Sequence, residues 1–383
     1  MTPLVFITGG AGFIGTHTAR LLVGRGWRVR VLDNLCPQVH GPGAGPPKDL
    51  PAEVEFIQAD VTDRDAVRSA LDGVTAVLHL ASLTGVIQSM HELESYAHTN
   101  VTGTACIWDV IAGDRIRLDH FVLASTRAVY GEGAYQCPCQ NGIVHPPPRS
   151  LDQLRRGQWG LLCGTCSTPM KPIPTSEDII PSALSVYALT KVFQEQLCRQ
   201  MADLTGTPLV TLRYFNVYGP NQALRNPYTG IAPVFCTQLM QGRPATLFED
   251  GLATRDFIHV QDVAKANWLA LNYRGNRPAV FNIGSGQPST IEDLARAISL
   301  GLGVPHRVEH TGQYRVGDIR SCYASTSRAA KELGFRAAIG LEEGVSDLVD
   351  WVSGQALPRG AIESATADLA ERGLIRAVVP IEG

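Results

Sequence analysis

Thr8-Gly9-Gly10-Ala11-Gly12-Phe13-Ile14-Gly15 follows the apolar run Leu4-Val5-Phe6-Ile7 and opens a segment of helical pattern. Glycines at such a junction let the backbone turn sharply and approach a pyrophosphate, whose charge then meets the free N–H groups and positive dipole end of the following helix. A second apolar run, Arg28-Val29-Arg30-Val31-Leu32, ends in Asp33, an acid about twenty residues further on that can accept from both ribose hydroxyls. Strand, glycine turn, helix and acid in this order predict a dinucleotide site, with Gly9, Gly12, Phe13, Ile14, Gly15, Asp33 and the adjoining Asn34 on the cofactor. A carboxylate here repels a 2′-phosphate, and no Arg follows it directly, so NAD is expected rather than NADP.

The rest of the chain fits an α/β protein. Strand-like runs at 4–7, 29–32, 54–58, 76–80, 120–124 and 208–213 alternate with helical segments, the pattern of a doubly wound parallel sheet. A length of 383 residues, 44% hydrophobic and 18% charged, suffices for that core and a smaller second domain. The NAD-binding domain is expected at 1–215 and 256–283, a C-terminal substrate domain at 216–255 and 284–355, an insertion at 132–176, and a tail of unassigned role at 356–383. A net charge of −3 without a basic run gives no reason to expect nucleic acid as partner. No apolar run approaches the length of a membrane span, and the N-terminus enters a strand at once, so a cytoplasmic protein is expected.

The spacing Gly9-x-x-Gly12-x-x-Gly15 resembles the extended short-chain dehydrogenase/reductase family, the nucleotide-sugar epimerases and dehydratases. The resemblance implies that Asp60-Val61 meets the adenine, that Leu80-Ala81-Ser82 lines the cofactor groove, and that Asn100 holds the active-site region together. It extends through Arg213-Tyr214-Phe215-Asn216-Val217-Tyr218-Gly219-Pro220 and Thr254-Arg255-Asp256-Phe257-Ile258-His259-Val260. Through these motifs Asn216 is implied to contact the sugar nucleotide's phosphates, Arg255 to pair with the diphosphate, and Asp318 to handle the nucleoside. The chemistry agrees: a diphosphate suits a guanidinium fork and a ribose suits a carboxylate. Family likeness further implies a homodimer.

Ser125-Thr126 closes a predicted strand, and Tyr187-Ala188-Leu189-Thr190-Lys191 opens a predicted helix. Tyr187 and Lys191, four apart, share a helical face. A phenol of pKa about 10 becomes a usable base when an ammonium and a positive nicotinamide favour its phenolate. Lys191 can also hold the nicotinamide ribose, and Thr126 can share the substrate hydroxyl that Tyr187 deprotonates. Ser125 and Arg127 are placed on the substrate.

The family's 4,6-dehydratases carry Asp and Glu where this chain has Arg127 and Ala128, neither of which can serve as that acid–base pair. Related decarboxylases usually carry Glu at the second position. What remains is oxidation and re-reduction at one carbon: epimerisation at C4 of a nucleotide-diphosphate sugar, with NAD regenerated. Ser125 to Gly133 and Asn226-Pro227-Tyr228-Thr229-Gly230 resemble a subgroup that includes dTDP-L-rhamnose 4-epimerases, which favours a dTDP-6-deoxyhexose ahead of a UDP-hexose or UDP-hexuronate. A 4-ketoreductase, a decarboxylase and a non-catalytic NAD-binding regulator remain as alternatives.

Four of the nine cysteines stand in the insertion as Cys137-Pro138-Cys139 and Cys163-Gly164-Thr165-Cys166. Two close pairs separated by a Pro-, Gly- and Arg-rich loop resemble a zinc knuckle with four thiolate ligands and no open coordination position. His145 is an alternative ligand, and free thiols in a loop are the competing description. Cys36, Cys106, Cys198, Cys236 and Cys322 are expected to pack as small apolar residues.

Overall fold

Seven strands pair in parallel in the order Ala279–Ile283, Leu209–Tyr214, His120–Thr126, Ala76–His79, Leu4–Thr8, Arg28–Asp33, Glu55–Gln58. The computed structural model describes residues 2–379 apart from 140, 141, 225, 227, 229, 276, 277, 358 and 359. Central strands such as Leu4–Thr8 are buried along their whole length, as a sheet covered on both faces requires. Helices Phe13–Gly24 and Val260–Leu271 pack Ala19, Leu22, Val263 and Ala266 on one face. Helices Arg64–Leu71, Gly103–Gly113 and Val186–Thr205 pack Val67, Ile107 and Cys198 on the other. Strand order reverses between Leu4–Thr8 and Ala76–His79, which opens a crevice beyond their carboxyl ends.

The seventh strand, Ala279–Ile283, was not among the six runs anticipated; it is short and buried, and only pairing to Leu209–Tyr214 separates it from a loop. The second lobe gathers helices Ile231–Met240, Ile291–Gly301 and Leu341–Ser353 around Phe235, Leu294, Ile298 and Leu348. Strand Thr254–His259 crosses the boundary expected at residue 256: it pairs with Asn216–Tyr218, Pro288–Thr290 and Ser321–Cys322, binding the lobe's separate segments together. Asp256 reinforces that junction, accepting from the Ser285, Gly286 and Ala324 amides at 2.7, 2.9 and 3.0 Å.

The insertion builds its own three-stranded antiparallel sheet, Ile143–Val144, Ala134–Gln136 and Lys171–Ile173, and a short helix, Leu151–Arg155. Its private core is Tyr135, Cys137, Leu161, Cys163 and Met170, too few side chains to hold such a segment without a staple. The tail is also structured. Helix Ala361–Glu371 leads to strand Ile375–Ala377, which pairs antiparallel with Gln313–Arg315.

Candidate active site

The glycine turn forms the floor of the first cavity, about 350 Å³, beyond the switch point. Gly9 has φ +68°, and a Cβ there would lie 2.7 Å from the Ala81 amide; at Gly15 it would lie 2.5 Å from Gly10 Cα. These two glycines serve close packing, while Gly12 caps helix Phe13–Gly24 without any side chain over its first amides. Phe13, Ile14, Asp33, Asn34, Asp60, Val61, Leu80, Ala81 and Ser82 also line this cavity. Asp33 accepts from the Ala11 amide at 3.1 Å and the Leu35 amide at 2.9 Å, so its carboxylate is fixed at the end of its strand. Burial pushes the Asp60 carboxyl up, but hydrogen bonds from Thr62 and Asn34 outweigh it and hold the group below its ordinary value.

Asn100 is not in the cavity wall. It lies fully buried in a π-helical turn, Ala97–Thr102, accepting from the Leu83 amide at 2.9 Å and donating to Thr190 Oγ1 at 2.9 Å. That position ties the groove loop to the catalytic helix, and π turns recur where helices serve a site. His40, which no motif marks, brings Nε2 to 3.6 Å from Asp33 Oδ1.

Helix Val186–Thr205 starts beneath this cavity, capped by Ser185, whose hydroxyl accepts from the Ala188 amide at 3.1 Å. The Tyr187 amide donates to Ser89 Oγ at 3.0 Å, which anchors the helix start to the loop 84–91. Burial pushes the Tyr187 phenol up to about 12, opposed by a hydrogen bond with Thr126 and by the charge of Arg127. Arg127, placed on the substrate from the sequence, thus also acts on the Tyr187 phenol. Lys191 donates to the Ala124 carbonyl at 3.0 Å, and burial lowers its ammonium to about 7.

A second cavity of about 360 Å³ continues from the first; Thr126, Tyr187, Thr84, Phe215 and Val217 line both. Arg127, Asn216, Arg255 and Asp318 line the second. Arg255 donates to Asp318 Oδ1 at 2.7 Å and to the Ile319 carbonyl at 2.9 Å. Burial pushes the Asp318 carboxyl up, yet Arg255, Arg315 and Arg127 together hold it below the usual range. Asn216 Oδ1 is buried without a hydrogen-bond partner among the described residues, and Arg127 makes no side-chain hydrogen bond or ion pair among them. Arg315 was missed by sequence reasoning: its guanidinium stacks 4.1 Å over Phe248 in this cavity. Its place three residues before Asp318 was the available signal. Three guanidinium groups, Arg127, Arg255 and Arg315, against two carboxylates, Asp318 and Glu249, leave the cavity wall net positive.

Ser125 stands apart from this second cavity. Its hydroxyl donates to Glu195, which Arg213 grips through Nε at 2.9 Å and Nη2 at 2.6 Å. The expected contact of the Ser125 side chain with substrate is therefore replaced by a structural one: its oxygen points to a buried ion pair beneath the site. Tyr130 extends that network, accepting from Arg213 at 3.0 Å and donating to Asn282 at 2.6 Å.

In the insertion, the sulfurs of Cys137, Cys139, Cys163 and Cys166 all lie within 4.8 Å of one another. Cys137 Sγ is 3.3 Å from Cys139 and 3.4 Å from Cys166, and none forms a disulfide. Four thiolates on one tetrahedral zinc lie about 3.8 Å apart, so the donor set fits that ion. His145 is outside the cluster, with Nδ1 3.5 Å from the Gly133 carbonyl. Cys106, Cys198, Cys236 and Cys322 are buried as expected, whereas Cys36 is half-exposed on the first cavity. Of the motif at 226–230, Pro227 and Thr229 lie outside the described residues.

The NAD-dependent epimerase/dehydratase family model matches residues 5–151 and 161–284. The chain is 38% identical to a dTDP-L-rhamnose 4-epimerase of Burkholderia thailandensis, across 91% of this chain and 94% of that one. Among solved structures it is similar to UDP-glucose 4-epimerase of Thermotoga maritima with UDP-glucose: TM-score 0.74, 27% identity, 91% of this chain and 98% of that one. UDP-glucuronic acid 4-epimerase of Bacillus cereus, in complex with UDP-glucuronic acid and NAD, superposes with a TM-score of 0.74 at 26% identity, covering 91% and 99%. With its glycine turn, paired Tyr187 and Lys191 and doubly wound sheet, the chain belongs to the NAD-dependent epimerase/dehydratase family.

Proposed function

We propose that this protein interconverts nucleotide-diphosphate sugars at C4, with a dTDP-6-deoxyhexose as the leading substrate and UDP-hexoses or UDP-hexuronates as the next candidates. One observation carries the proposal: Thr126 and Tyr187 line both the dinucleotide cavity and the cationic cavity beside it. A sugar whose diphosphate rests near Arg255 and Arg315 presents its ring to Tyr187. NAD, when bound against Gly9–Gly15 and Asp33, supplies the hydride acceptor and later the hydride donor. Tyr187 takes the C4 hydroxyl proton, Thr126 shares that hydroxyl, and Lys191 holds the nicotinamide ribose. Asn216, Arg127 and Arg255 meet the phosphates, and Asp318 meets the nucleoside ribose. After the 4-keto sugar turns over, Tyr187 returns the proton as hydride comes back to the other face.

Arg127 and Ala128 withhold the acid and base that dehydration or decarboxylation would need, which favours epimerisation over those reactions. The cysteine cluster holds one structural zinc ion in this proposal, closing the insertion where its five-residue core does not suffice. Exposed Leu189, Phe193 and Leu204 on the catalytic helix, with Leu93 nearby in sequence to the π turn, support a homodimer. Nine cysteines without a disulfide suit a reducing compartment, and we place the enzyme in the cytoplasm.

The test offers dTDP-L-rhamnose, UDP-glucose and UDP-glucuronate to the purified protein and follows products by NMR. A C4 epimer without loss of water or carbon dioxide is expected from at least one. A stable 4-keto-6-deoxy sugar, carbon dioxide, or a requirement for stoichiometric reduced cofactor overturns the proposal. Elemental analysis of untagged protein checks the metal, with one zinc per chain expected and four freely titrating insertion thiols contradicting it.

A further inference from the structure

The tail, residues 356–383, has no assigned part in the proposed reaction, yet it reaches the substrate cavity. Helix Ala361–Glu371 runs from Glu363, ion-paired with Arg243, to Asp368, which lies near His91 and Tyr228. The next residue, Leu369, is 5% exposed and lines the same cavity as Tyr187, Val86 and Ile87. Val86 and Ile87 belong to the loop whose Ser89 accepts from the Tyr187 amide, and Asp368, beside Leu369, lies near His91 at the end of that same loop, which brings the tail helix to the Tyr187 side of the cavity.

The helix is held in place from two sides. Strand Ile375–Ala377 pairs with Gln313–Arg315, and the Val316 amide donates to the Leu374 carbonyl at 2.9 Å. On the outer side the Val379 amide donates to the Arg155 carbonyl of the insertion at 3.0 Å. The insertion is itself locked to the cavity: Arg149 donates to Glu249 Oε2 at 2.8 Å and to the Asp318 carbonyl at 3.0 Å, and Trp159 packs against Tyr314. The tail strand therefore lies between the cysteine-bearing insertion and the segment carrying Arg315 and Asp318.

We infer that the C-terminal helix completes the hexose end of the site, with Leu369 an apolar wall that, with Val86 and Ile87, favours a 6-deoxyhexose over a hexose or hexuronate. This rests on the epimerase proposal and deepens it by naming the group recognised: a methyl on C5 gains by leaving water against three aliphatic side chains, whereas a hydroxymethyl or carboxylate loses hydration against them. No polar group of the tail is needed for this.

The experiment uses the full chain with Leu369→Ala and Leu369→Arg, assayed on dTDP-L-rhamnose, UDP-glucose and UDP-glucuronate, with melting temperature and NAD released on denaturation as controls. Leu369→Ala is expected to raise KM for dTDP-L-rhamnose about five- to tenfold, the size of one lost aliphatic contact, with a smaller rise for UDP-glucose and unchanged bound NAD. Leu369→Arg should lower the preference for the 6-deoxy sugar over UDP-glucuronate further. An unchanged KM for dTDP-L-rhamnose in both variants, or an equal rise for every sugar, overturns the inference. Should Leu369→Arg fail to fold, Leu369→Ala decides alone. Wild-type turnover tests the epimerase proposal separately; without turnover, calorimetric binding of dTDP-L-rhamnose and UDP-glucuronate to wild type and Leu369→Ala reads the tail, and unchanged relative affinity sinks it.

Discussion

The dinucleotide half and the sugar half of this molecule are built on opposite plans. The first cavity, proposed for NAD, is lined from the ends of neighbouring parallel strands: the glycine turn after Leu4–Thr8, Asp33 after the next strand, Leu80–Ser82 after a third. The second, proposed for the sugar nucleotide, is lined by segments far apart in sequence, among them Val86, Arg127, Asn216, Arg255, Arg315, Asp318 and Leu369. The first half depends on backbone geometry that one strand–turn–helix unit can supply. The second depends on side chains that converge only when the second lobe, the insertion and the tail have all docked. A change in the first should therefore act on the cofactor or the chemistry, and a change in the second on substrate binding.

Tyr187, on the border, offers the sharpest separation. Tyr187→Phe removes the proton carrier and should lower kcat by about a thousandfold or more while leaving bound NAD intact, as judged by cofactor released on denaturation. Turnover within tenfold of wild type would remove Tyr187 as the base. Lys191 tests the dinucleotide side through stability. In NAD-free protein its ammonium is held at about 7 by burial, below the unfolded value. Between those two values the unfolded chain holds a proton that the folded one has lost, so stability rises with pH through that window; below it the full penalty of burying the charge persists. Lys191→Met should therefore be more stable than wild type near pH 6 by a few kcal/mol, and the gap should close toward pH 10 in urea titrations. A gap independent of pH contradicts the buried ammonium.

Metal loss probes the sugar half. Removing the proposed zinc with a chelator, or Cys163→Ser with Cys166→Ser, should raise substrate KM by about tenfold and lower the melting temperature before bound NAD is affected. Loss of NAD first would break the division between the halves. The smallest expected effect is at Arg127. Its guanidinium opposes the burial that raises the Tyr187 phenol, so Arg127→Met should move the ascending, acid-side limb of the kcat profile to higher pH and lower kcat at pH 7 by roughly tenfold or less. An unshifted profile with a raised KM alone would confine Arg127 to phosphate binding.

The same division governs what the sequence reveals. Gly9, Gly12, Gly15 and Asp33 are legible because a tight turn and a ribose acceptor must occur at fixed spacing along one βαβ unit. Tyr187 and Lys191 are legible because four residues make one helical turn. Arg315 and Leu369 are not, since their role arises from pairing of Gln313–Arg315 with the tail strand, which no local pattern encodes. Ser125 shows the converse: it borders the catalytic Thr126, but side chains alternate along a strand, so its hydroxyl points to Glu195 beneath the sheet end. Asn100, which the resemblance places at the active-site region, reaches Leu83 and Thr190 through a π turn that appears only in three dimensions.

The proposed chemistry keeps one hydride within one site: Tyr187 would take and return the C4 hydroxyl proton, while NAD held by Asp33 and the glycine turn would supply the hydride acceptor and donor. A nucleotide sugar from the substrate panel, deuterated at C4, tests it directly when incubated with the purified enzyme without added cofactor and followed by NMR. The account predicts a C4 epimer that keeps its deuterium at C4, with no carbon dioxide and no accumulating ketone. An epimer whose C4 deuterium has washed out to solvent, or no epimer until reduced cofactor is supplied, would contradict it.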